Sequence, residues 1–290
     1  MIRDTLRGAL RKLGWEIHRV PRTRKSVAPH EDLPPVEPRW PLPVSPSAGD
    51  AASIRKRFDR FDLWHYAYQF EGGLEFTAHH HRPGPLTDDP RRVVQRFRHF
   101  MPSLVHAAGG SLAGKRVLDI ACNSGFWSIQ CALLGADVVG FDARPELIEQ
   151  AHLIQSITGV ENVRYEVLDF WDMTPATLGT FDIVLNLGIL YHLAEPLRAL
   201  QLTRAMARDV IVLDTTVNSS SDSILRLRWE EPEDIRDAAT AGVVAHPSKS
   251  AVELMLRHAG VRSFHEIPLR SADMPRDYLT SRRASWLIRV

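Results

Sequence analysis

The sequence lacks the features of exported and membrane-spanning proteins. Its 290 residues include only two cysteines, Cys122 and Cys131, which are too few for a disulfide framework. No apolar run approaches the roughly 18–20 residues that span a bilayer. The N-terminus has neither the apolar block nor the small-residue cleavage site of a secretory signal. We therefore expect a cytoplasmic protein with reduced thiols.

A large net charge is also absent, since 36 Lys and Arg stand against 35 Asp and Glu. The charge is unevenly distributed, because residues 1–25 contain eight basic and two acidic side chains, which leaves the other 265 residues at −5. Apolar residues in this basic segment recur every three or four positions, which predicts an amphipathic helix. Such a helix either contacts the inner face of the membrane or a partner, or remains solvated.

Proline and hydrophobic periodicity divide the chain into four parts. Residues 26–50 contain seven prolines, which predicts an extended linker after the basic helix. Residues 51–114 are predicted to form a mostly helical, aromatic N-terminal cover. In residues 115–290, strands rich in Val, Ile and Leu alternate with helices, as in a parallel sheet covered on both faces. We expect an α/β, doubly wound fold with right-handed crossovers.

The predicted elements of the main domain follow this alternation. Residues 218–248 are too long for a simple connector, so part of them is expected to form a lid. The acidic run from Glu230 to Asp234 within them is interpreted as a solvated helix start. Strands are predicted at Arg116–Cys122, Asp137–Ala143, Val163–Asp169, Phe181–Leu190, Asp209–Val217, Val261–Ile267 and Ser285–Val290, and helices at Phe126–Leu134, Pro145–Thr158, Pro196–Ala207 and Lys249–His258.

Polar residues collect at the carboxyl ends of the first four of these strands, where ligands of open parallel sheets bind. Asp142 ends the second strand, where a carboxylate can accept hydrogen bonds from both hydroxyls of a ribose. Asp169 follows the third strand, where it can accept a hydrogen bond from an exocyclic amine of adenine. Each carboxylate also suits a helix cap or a loop, and the two kinds of role are compatible for Asp142.

The turn after the first strand, Ala121 to Gly125, is poor in glycine. A dinucleotide needs several glycines there, because its pyrophosphate presses against backbone amides at the helix start. Ala121 and Asn123 occupy positions where glycines are expected, and no basic residue is present to meet phosphate. The turn therefore argues against NAD and for a nucleoside without phosphates, such as S-adenosyl-L-methionine.

The stretch LDIACNSGFWSI resembles the first motif of class I S-adenosylmethionine-dependent methyltransferases. Asp119 matches the acidic residue of that motif and Gly125 its last glycine. The resemblance covers about Lys115 to Val290. It implies a Rossmann-like, seven-stranded, mostly parallel sheet with an antiparallel last strand. The implied cofactor-binding residues are Asp119, Ala121, Cys122, Asn123, Gly125, Asp142, Ala143, Asp169, Phe170, Asn186, Leu187 and Gly188.

A closer resemblance involves the end of the fourth strand. FDIVLNLGILYHLAEPLRAL is similar to the methyltransferase-like family that includes the tRNA wobble-uridine modifying enzymes. Leu190, Tyr191 and His192 match the Leu-Tyr-His ending of that family's fourth strand. The threonine-rich segment that those tRNA enzymes carry after the last helix is replaced here by Tyr278–Val290.

His192 is the candidate catalytic base, because histidine can remove the proton of an acceptor hydroxyl near neutral pH. Tyr191 is expected to position the acceptor or the methionine carboxylate. Alternatively, both residues begin a helix and pack. Trp64 and His65 either line the acceptor pocket or belong to an aromatic helix that covers the sheet. The run from His79 to His81 is expected to be a solvated loop, not a metal site.

Three functions remain open at this stage. The first is methylation of a hydroxyl on a small-molecule, sugar or lipid-linked acceptor, with residues 1–25 near a membrane. The second is modification of a tRNA base. Nucleic-acid enzymes usually have a broad basic surface, which residues 26–290 do not indicate despite local arginine clusters. The third is a non-catalytic module that binds adenosine.

Overall fold

A computed structural model describes residues 33–79 and 91–290, together with the backbone of residues 24 and 25. The strands are β1 (Arg24–Lys25), β2 (Tyr68–Phe70), β3 (Leu74–Phe76), β4 (Arg116–Ile120), β5 (Asp137–Asp142), β6 (Val163–Val167), β7 (Phe181–Leu187), β8 (Ala207–Thr216), β9 (Leu225–Glu230), β10 (Gly242–Pro247), β11 (Ser263–Glu266) and β12 (Arg283–Arg289). The helices are α1 (Ala51–Phe58), α2 (Arg92–Ala107), α3 (Phe126–Leu133), α4 (Pro145–Thr158), α5 (Pro175–Leu178), α6 (Pro196–Met206), α7 (Lys249–His258) and α8 (Arg276–Leu279).

The main sheet confirms the predicted fold class. Seven strands follow the order β11-β12-β8-β7-β4-β5-β6, and the two-residue β1 extends the sheet beside β11. The strands from β8 to β6 are parallel, whereas the last strand, β12, is antiparallel to both of its neighbours. The chain reverses its direction of winding at β4, with β5 on one side and β7 on the other. Ligands in doubly wound sheets bind at such a switch point.

The sheet is covered on both faces, which explains why its central strands consist almost entirely of apolar residues. On one face, α2, α3 and α4 pack on the sheet together with the residues before α2, and Phe100 and Ile154 are fully buried there. On the other face, α5, α6 and α7 bury side chains such as Leu200 and Val252. The carboxyl edge of the sheet lies between these two layers.

Element boundaries agree with the sequence where local signals are strong. The bounds of α4 and α7 are those predicted, because proline opens α4 and the Ser248 side chain caps α7 by accepting from Ala251 N at 3.2 Å. The predicted strands run too far at their ligand-facing ends. In the first of them the backbone turns sharply after β4, since Ala121 has φ of 52°.

The prediction of a mostly helical cover is wrong for residues 59–79, which contain the β2–β3 hairpin. Alternating aromatic residues of this hairpin pack on Phe58 of α1. Residues 33–45 are extended as expected and Pro46–Ala48 form a short 3-10 helix, but residues 33–50 are packed on the domain and do not form a free linker. Leu42 is fully buried, and its N–H donates to Gln69 O at 2.8 Å.

The long connection after β8 contains the antiparallel β9–β10 hairpin. Glu230 is the last residue of β9, so the predicted helix start at the acidic run is wrong. The predicted amphipathic helix lies outside the described residues, except that residues 24 and 25 form β1 and not the end of a helix. Within residues 33–79 and 91–290, none of the helices has the length and apolar content that crossing a bilayer requires.

Candidate active site

A cleft of about 970 Å³, including its mouth, opens at the switch point of the sheet. Its floor is formed by the residues that follow β4, β5, β6 and β7. Residues 235–239, between β9 and β10, lie over it, and His65 and Tyr66 of the N-terminal cover form one wall. Side chains from α2 and the start of β12 close the far end.

The structure brings ten of the sixteen predicted site residues together in this cleft. They come from four strand ends and from the N-terminal cover, as expected if the carboxyl ends of parallel strands form one site. The ten residues are His65, Ala121, Asn123, Asp142, Ala143, Phe170, Leu187, Gly188, Tyr191 and His192.

Two of the remaining residues, Asp119 and Gly125, contribute to the structure of the turn and not to the lining of the cleft. Asp119 is buried and accepts a hydrogen bond from Ser128 Oγ at 2.6 Å, which joins β4 to α3. Burial raises the pKa of Asp119 to about 7. Gly125 has φ of 81°, and a Cβ there would collide with the hydroxyl of Tyr165. Gly125 is therefore needed for a close approach between turn and sheet.

Asn186 and Asp169 also lie outside the cleft lining. Asn186 is fully buried and donates to Thr203 Oγ1 of α6 at 3.1 Å, so its side chain lies behind the sheet edge. Asp169 accepts from Trp171 N at 2.8 Å, which is the cap role that the sequence left open.

Cys122 and Trp64 complete the set that the cleft does not include. Cys122 is 1% exposed, and burial raises the pKa of its thiol well above the ordinary value. Trp64 stacks on Phe58 with ring centres 4.4 Å apart and belongs to the aromatic layer. Unlike its neighbour His65, Trp64 therefore does not reach the cleft.

The turn has a left-handed backbone at two positions that are not glycine. Ala121 and Asn123 have φ of 52° and 54°. Asparagine adopts this conformation readily because its side chain can bond locally, and here Asn123 Oδ1 accepts from Ser124 N at 2.7 Å. Alanine has no such compensation, so Ala121 carries strain of about 1–2 kcal/mol.

Asp142 links this turn to the next strand. Its Oδ2 accepts from Asn123 N and its Oδ1 from Arg144 N, both at 3.1 Å. Burial raises the pKa of Asp142, while these backbone donors act in the opposite direction. A carboxylate oxygen can accept two hydrogen bonds, so each oxygen retains capacity for a ligand hydroxyl.

On the opposite side of the cleft, His192 is paired with a carboxylate. His192 Nδ1 lies 2.7 Å from Glu230 Oε2, and the two side chains are 10% and 19% exposed. The same Glu230 oxygen accepts from Ala238 N at 3.0 Å. The contact holds the imidazole by one nitrogen, which leaves Nε2 as the atom that can accept a proton.

Neighbouring charges set the protonation of this pair. Burial alone would lower the pKa of His192, but Tyr191 and Glu230 raise it on balance. Burial would raise the pKa of Glu230, but its hydrogen bond to His192 lowers it. The pKa of Tyr191 is about 8, because His192 and Arg283 together outweigh the effect of its burial.

Several residues of the cleft had no signal in the sequence. Arg144 donates to the backbone carbonyls of Ile235, Asp237 and Ala238 at 2.6, 2.7 and 2.9 Å and so anchors the loop over the cleft. Its place two residues after Asp142 was the only available hint. Glu230, Arg92, Arg96 and Arg283 come from distant segments that no motif connects.

The donor set of the cleft fits the adenosyl group of S-adenosylmethionine. Asp142 places a carboxylate beside the turn, where it can accept hydrogen bonds from the hydroxyls of a ribose. Leu168 and Phe170 provide apolar surface next to it for a base. In residues 33–79 and 91–290, no three His, Cys, Asp or Glu residues are grouped to hold a metal ion, and His80 and His81 lie outside these ranges.

Two curated proteins are similar in sequence to part of this chain. The chain is 40% identical over 85 residues to the ubiquinone biosynthesis O-methyltransferase of Xanthomonas euvesicatoria pv. vesicatoria, covering 29% of this chain and 35% of that protein. It is 30% identical over 118 residues to the same-named protein of Neisseria meningitidis serogroup A, covering 40% of this chain and 50% of the relative. The chain thus spans half or less of the length of these curated relatives.

A solved structure shares the fold over most of the chain. The N-terminal domain of EvdMO1, crystallised in the presence of SAH and D-fucose, has a TM-score of 0.65 and 22% identity, covering 84% of this chain and 97% of that chain. Residues 93–265 match the family model described as methyltransferase domain. Because this match spans more than half of the chain, the protein belongs to that methyltransferase domain family.

Proposed function

We propose that the protein transfers a methyl group from S-adenosyl-L-methionine to a hydroxyl of a small-molecule acceptor in the cytoplasm. The observation that carries this proposal is the His192–Glu230 pair, because His192 lines the same cleft as Asp142 and Glu230 holds it from outside the lining. The names of the curated relatives, which are O-methyltransferases, support a hydroxyl as the acceptor.

The cofactor is proposed to bind along the β4–β5 side of the cleft. Asp142 accepts the ribose hydroxyls, and Leu168 and Phe170 pack against the adenine. The backbone of Ala121 and Asn123 contacts the amino-acid tail. Leu187 and Gly188 follow β7 and adjoin the donor methyl.

Bound S-adenosylmethionine supplies an electrophilic methyl group. His192 then takes the proton of the acceptor hydroxyl at Nε2, because Glu230 holds Nδ1. General bases of this kind contribute roughly 10²–10⁴-fold to rate. Tyr191 lies next to His192 and beside the proposed place of the acceptor hydroxyl, and it positions the acceptor. Alignment of the reacting atoms by the cleft walls provides the rest of the catalysis.

The alternatives have weaker support from the same contacts. The arginine cluster at the start of α2, which kept a nucleic-acid substrate open, is paired with carboxylates: Arg91 with Asp273, Arg92 with Asp277, Arg96 with Asp214 and Arg98 with Glu37. The second cluster, Arg226 and Arg228, lies on β9. A tRNA substrate, which the Leu-Tyr-His resemblance suggests, would need free basic surface for the phosphates. A binding module without activity would not need a carboxylate on its histidine.

The proposal is tested by calorimetry with S-adenosylhomocysteine and by transfer of labelled methyl groups to a panel of hydroxyl compounds. We expect Asp142→Asn to weaken binding by about 10–100-fold, because hydrogen bonds to a charged group contribute about 1.5–3 kcal/mol. Asp169→Asn is the matched control, since it removes a carboxylate outside the cleft. No binding to the wild-type protein, or equal losses in both variants, would contradict the proposal.

A lipid-linked acceptor is the second candidate, and one observation favours it. Leu225, Leu227 and Trp229 alternate along β9, and Val243 pairs with Trp229 on the same face of the hairpin. This hairpin apolar face is 42–65% exposed, on a strand that ends at Glu230, the partner of His192. Exposed apolar patches of this kind occur at membrane and partner surfaces. The basic residues 1–25 would add attraction to anionic lipids.

Liposome co-sedimentation tests this second candidate. With vesicles containing anionic lipid, we expect Trp229→Ser and deletion of residues 1–25 each to reduce the bound fraction. Leu254→Ser is the control, because Leu254 is 57% exposed on α7, away from the hairpin. Equal sedimentation of all variants would leave a freely diffusing acceptor as the only candidate.

A further inference from the structure

The far end of the cleft contains two buried arginines that share one carboxylate. The side chains of Arg96 and Arg283 are 4% and 6% exposed, and that of Asp214 is fully buried. Arg96 Nη2 lies 3.1 Å from Asp214 Oδ1, and Arg283 Nε donates to the same oxygen. We call Arg96 and Arg283 the arginine pair.

Charge around the arginine pair does not balance. The other oxygen of Asp214 already accepts from the hydroxyls of Tyr278 and Ser285. The nearby Arg92 has its own partner, because both of its terminal nitrogens bond to Asp277 at 3.0 and 2.6 Å. Two guanidinium groups and one carboxylate therefore leave one excess positive charge.

The other titratable groups beside the pair do not supply the missing negative charge at neutral pH. Burial lowers the pKa of His99 to about 4, so the His99 imidazole is neutral at pH 7. The pKa of Tyr278 is raised to about 12 by burial and by Asp214. The pKa of Tyr191, about 8, leaves most of its hydroxyl protonated.

The excess charge faces the cleft. Both members of the arginine pair line it, beside Gly188 and Tyr191. The absence of a side chain at Gly188 matters here, because a Cβ would lie 2.9 Å from Arg283 Nη2. The guanidinium carbon of Arg283 also lies 5.7 Å from the ring centre of Tyr191, next to the proposed base His192. A ligand in the cleft can therefore reach the guanidinium directly.

We propose that the arginine pair binds an anionic group, a carboxylate or phosphate, of a small molecule in the cleft. This proposal rests on the proposed function. A buried cation without a counter-charge is costly, and a ligand anion removes that cost. The planar guanidinium matches carboxylate and phosphate geometry with two parallel hydrogen bonds. The anion comes either from the acceptor or from the amino-acid carboxylate of the cofactor.

The acceptor source is tested by calorimetry on the full chain with matched probes and S-adenosylhomocysteine present. The probes are 3,4-dihydroxybenzoate against 3,4-dihydroxybenzamide, and D-glucose 1-phosphate against methyl D-glucoside. We expect at least one charged probe to bind tenfold or more tightly than its neutral counterpart. Arg283→Gln should reduce that preference below threefold, and Arg283→Lys should restore part of it.

The cofactor source has its own arm. A tenfold loss of S-adenosylhomocysteine affinity in Arg283→Gln, with unchanged binding of 5′-methylthioadenosine, would assign the anion to the cofactor carboxylate and support the proposal. Arg283→Gln is expected to fold, because Arg96 and Asp214 then form a balanced pair. Arg98→Gln is the control, since Arg98 lies on the same helix as Arg96 but pairs with the exposed Glu37 of the N-terminal segment.

Two results separate this proposal from the proposed function. The anion proposal is overturned if Arg283→Gln leaves S-adenosylhomocysteine affinity unchanged and the charged probes bind no more tightly than the neutral ones. It is also overturned if that affinity is unchanged and none of the probes binds. If the wild-type protein does not bind S-adenosylhomocysteine, the proposed function fails. The charged and neutral probes are then compared without it and still decide the anion site.

Discussion

The two halves of the cleft are built in different ways. The half around Asp142 is formed by those residues between 121 and 170 that directly follow β4, β5 and β6. The half around His192 joins segments far apart in sequence, because His192 meets Glu230 38 positions later and Arg96 meets Asp214 118 positions later. The first half depends on local turns, and the second depends on tertiary packing.

This difference separates what each half can do. In the first half, the proposed contacts to the nucleoside come from backbone amides and one carboxylate, so few side chains are needed. In the second half, pairs of charged side chains converge from α2, β9 and β12 on one end of the sheet. Specificity for the acceptor is therefore expected to reside in residues that can change without disturbing the cofactor grip.

The largest expected effect comes from a substitution in the second half of the cleft. We expect His192→Ala to lower kcat by roughly 10²–10⁴-fold, because it removes the proposed base. S-adenosylhomocysteine affinity should stay within about twofold, since His192 lies outside the proposed cofactor contacts. The measurement is steady-state transfer of labelled methyl groups with parallel calorimetry. His258→Ala, at an exposed position of α7, is the control, and a parallel loss of cofactor affinity would contradict the division between the halves.

The next effect concerns stability. Asp214→Asn should lower the free energy of unfolding by about 3–5 kcal/mol, because it leaves the arginine pair without a carboxylate in a buried site. Asp209→Asn removes an exposed partner of Arg289 and should cost less than about 1 kcal/mol. Urea unfolding followed by circular dichroism measures both. Similar losses in the two variants would show that the buried network is not special.

Asp214 also gives a pH dependence of stability with a definite sign. Burial would raise its pKa, but the arginine pair lowers it below the ordinary range. A carboxyl with a depressed folded pKa stabilises above its unfolded pKa of about 3.9, and this contribution is lost as pH falls through the folded value. The difference between wild type and Asp214→Asn should therefore shrink on acidification, and a constant difference would contradict the assignment.

The smallest expected effect sharpens the role of Glu230. In Glu230→Gln the imidazole loses its counter-charge, so the pKa of His192 should fall toward its ordinary value of about 6.5. Because neutral His192 is the active form, the rise of kcat with pH should shift to lower pH. The plateau should drop by about 10-fold as the ring loses its fixed orientation. A lower plateau with no shift would indicate a purely structural role.

Sequence patterns identified the first half of the cleft well. The strand–turn–helix around Asp119 and Gly125 and the carboxylate at Asp142 are contiguous signals with a fixed place in a parallel sheet. For Asn186 and Asp169 the sequence alone leaves two kinds of role open, because a polar residue at a strand end can also bond behind the sheet or cap the next turn. Only the geometry of Thr203 and Trp171 separates these outcomes.

The second half could not be predicted because its partners come from different elements. Glu230 was interpreted as part of a solvated acidic run, since nothing in the sequence indicates that β9 turns it toward His192. The arginine pair has the same character, because Arg96 lies on a helix before the main domain and Arg283 on its last strand. Similarly, Trp64 and His65 are neighbours, yet Trp64 packs in the aromatic layer and His65 lines the cleft.

The anchoring of the loop over the cleft has a consequence for how this site could diversify. Arg144 grips that loop through three main-chain oxygens, and every amino acid supplies such an oxygen. These hydrogen bonds therefore do not depend on which side chains the loop residues carry. Residues 235–239 can be exchanged for ones that suit a new molecule while the closure itself persists.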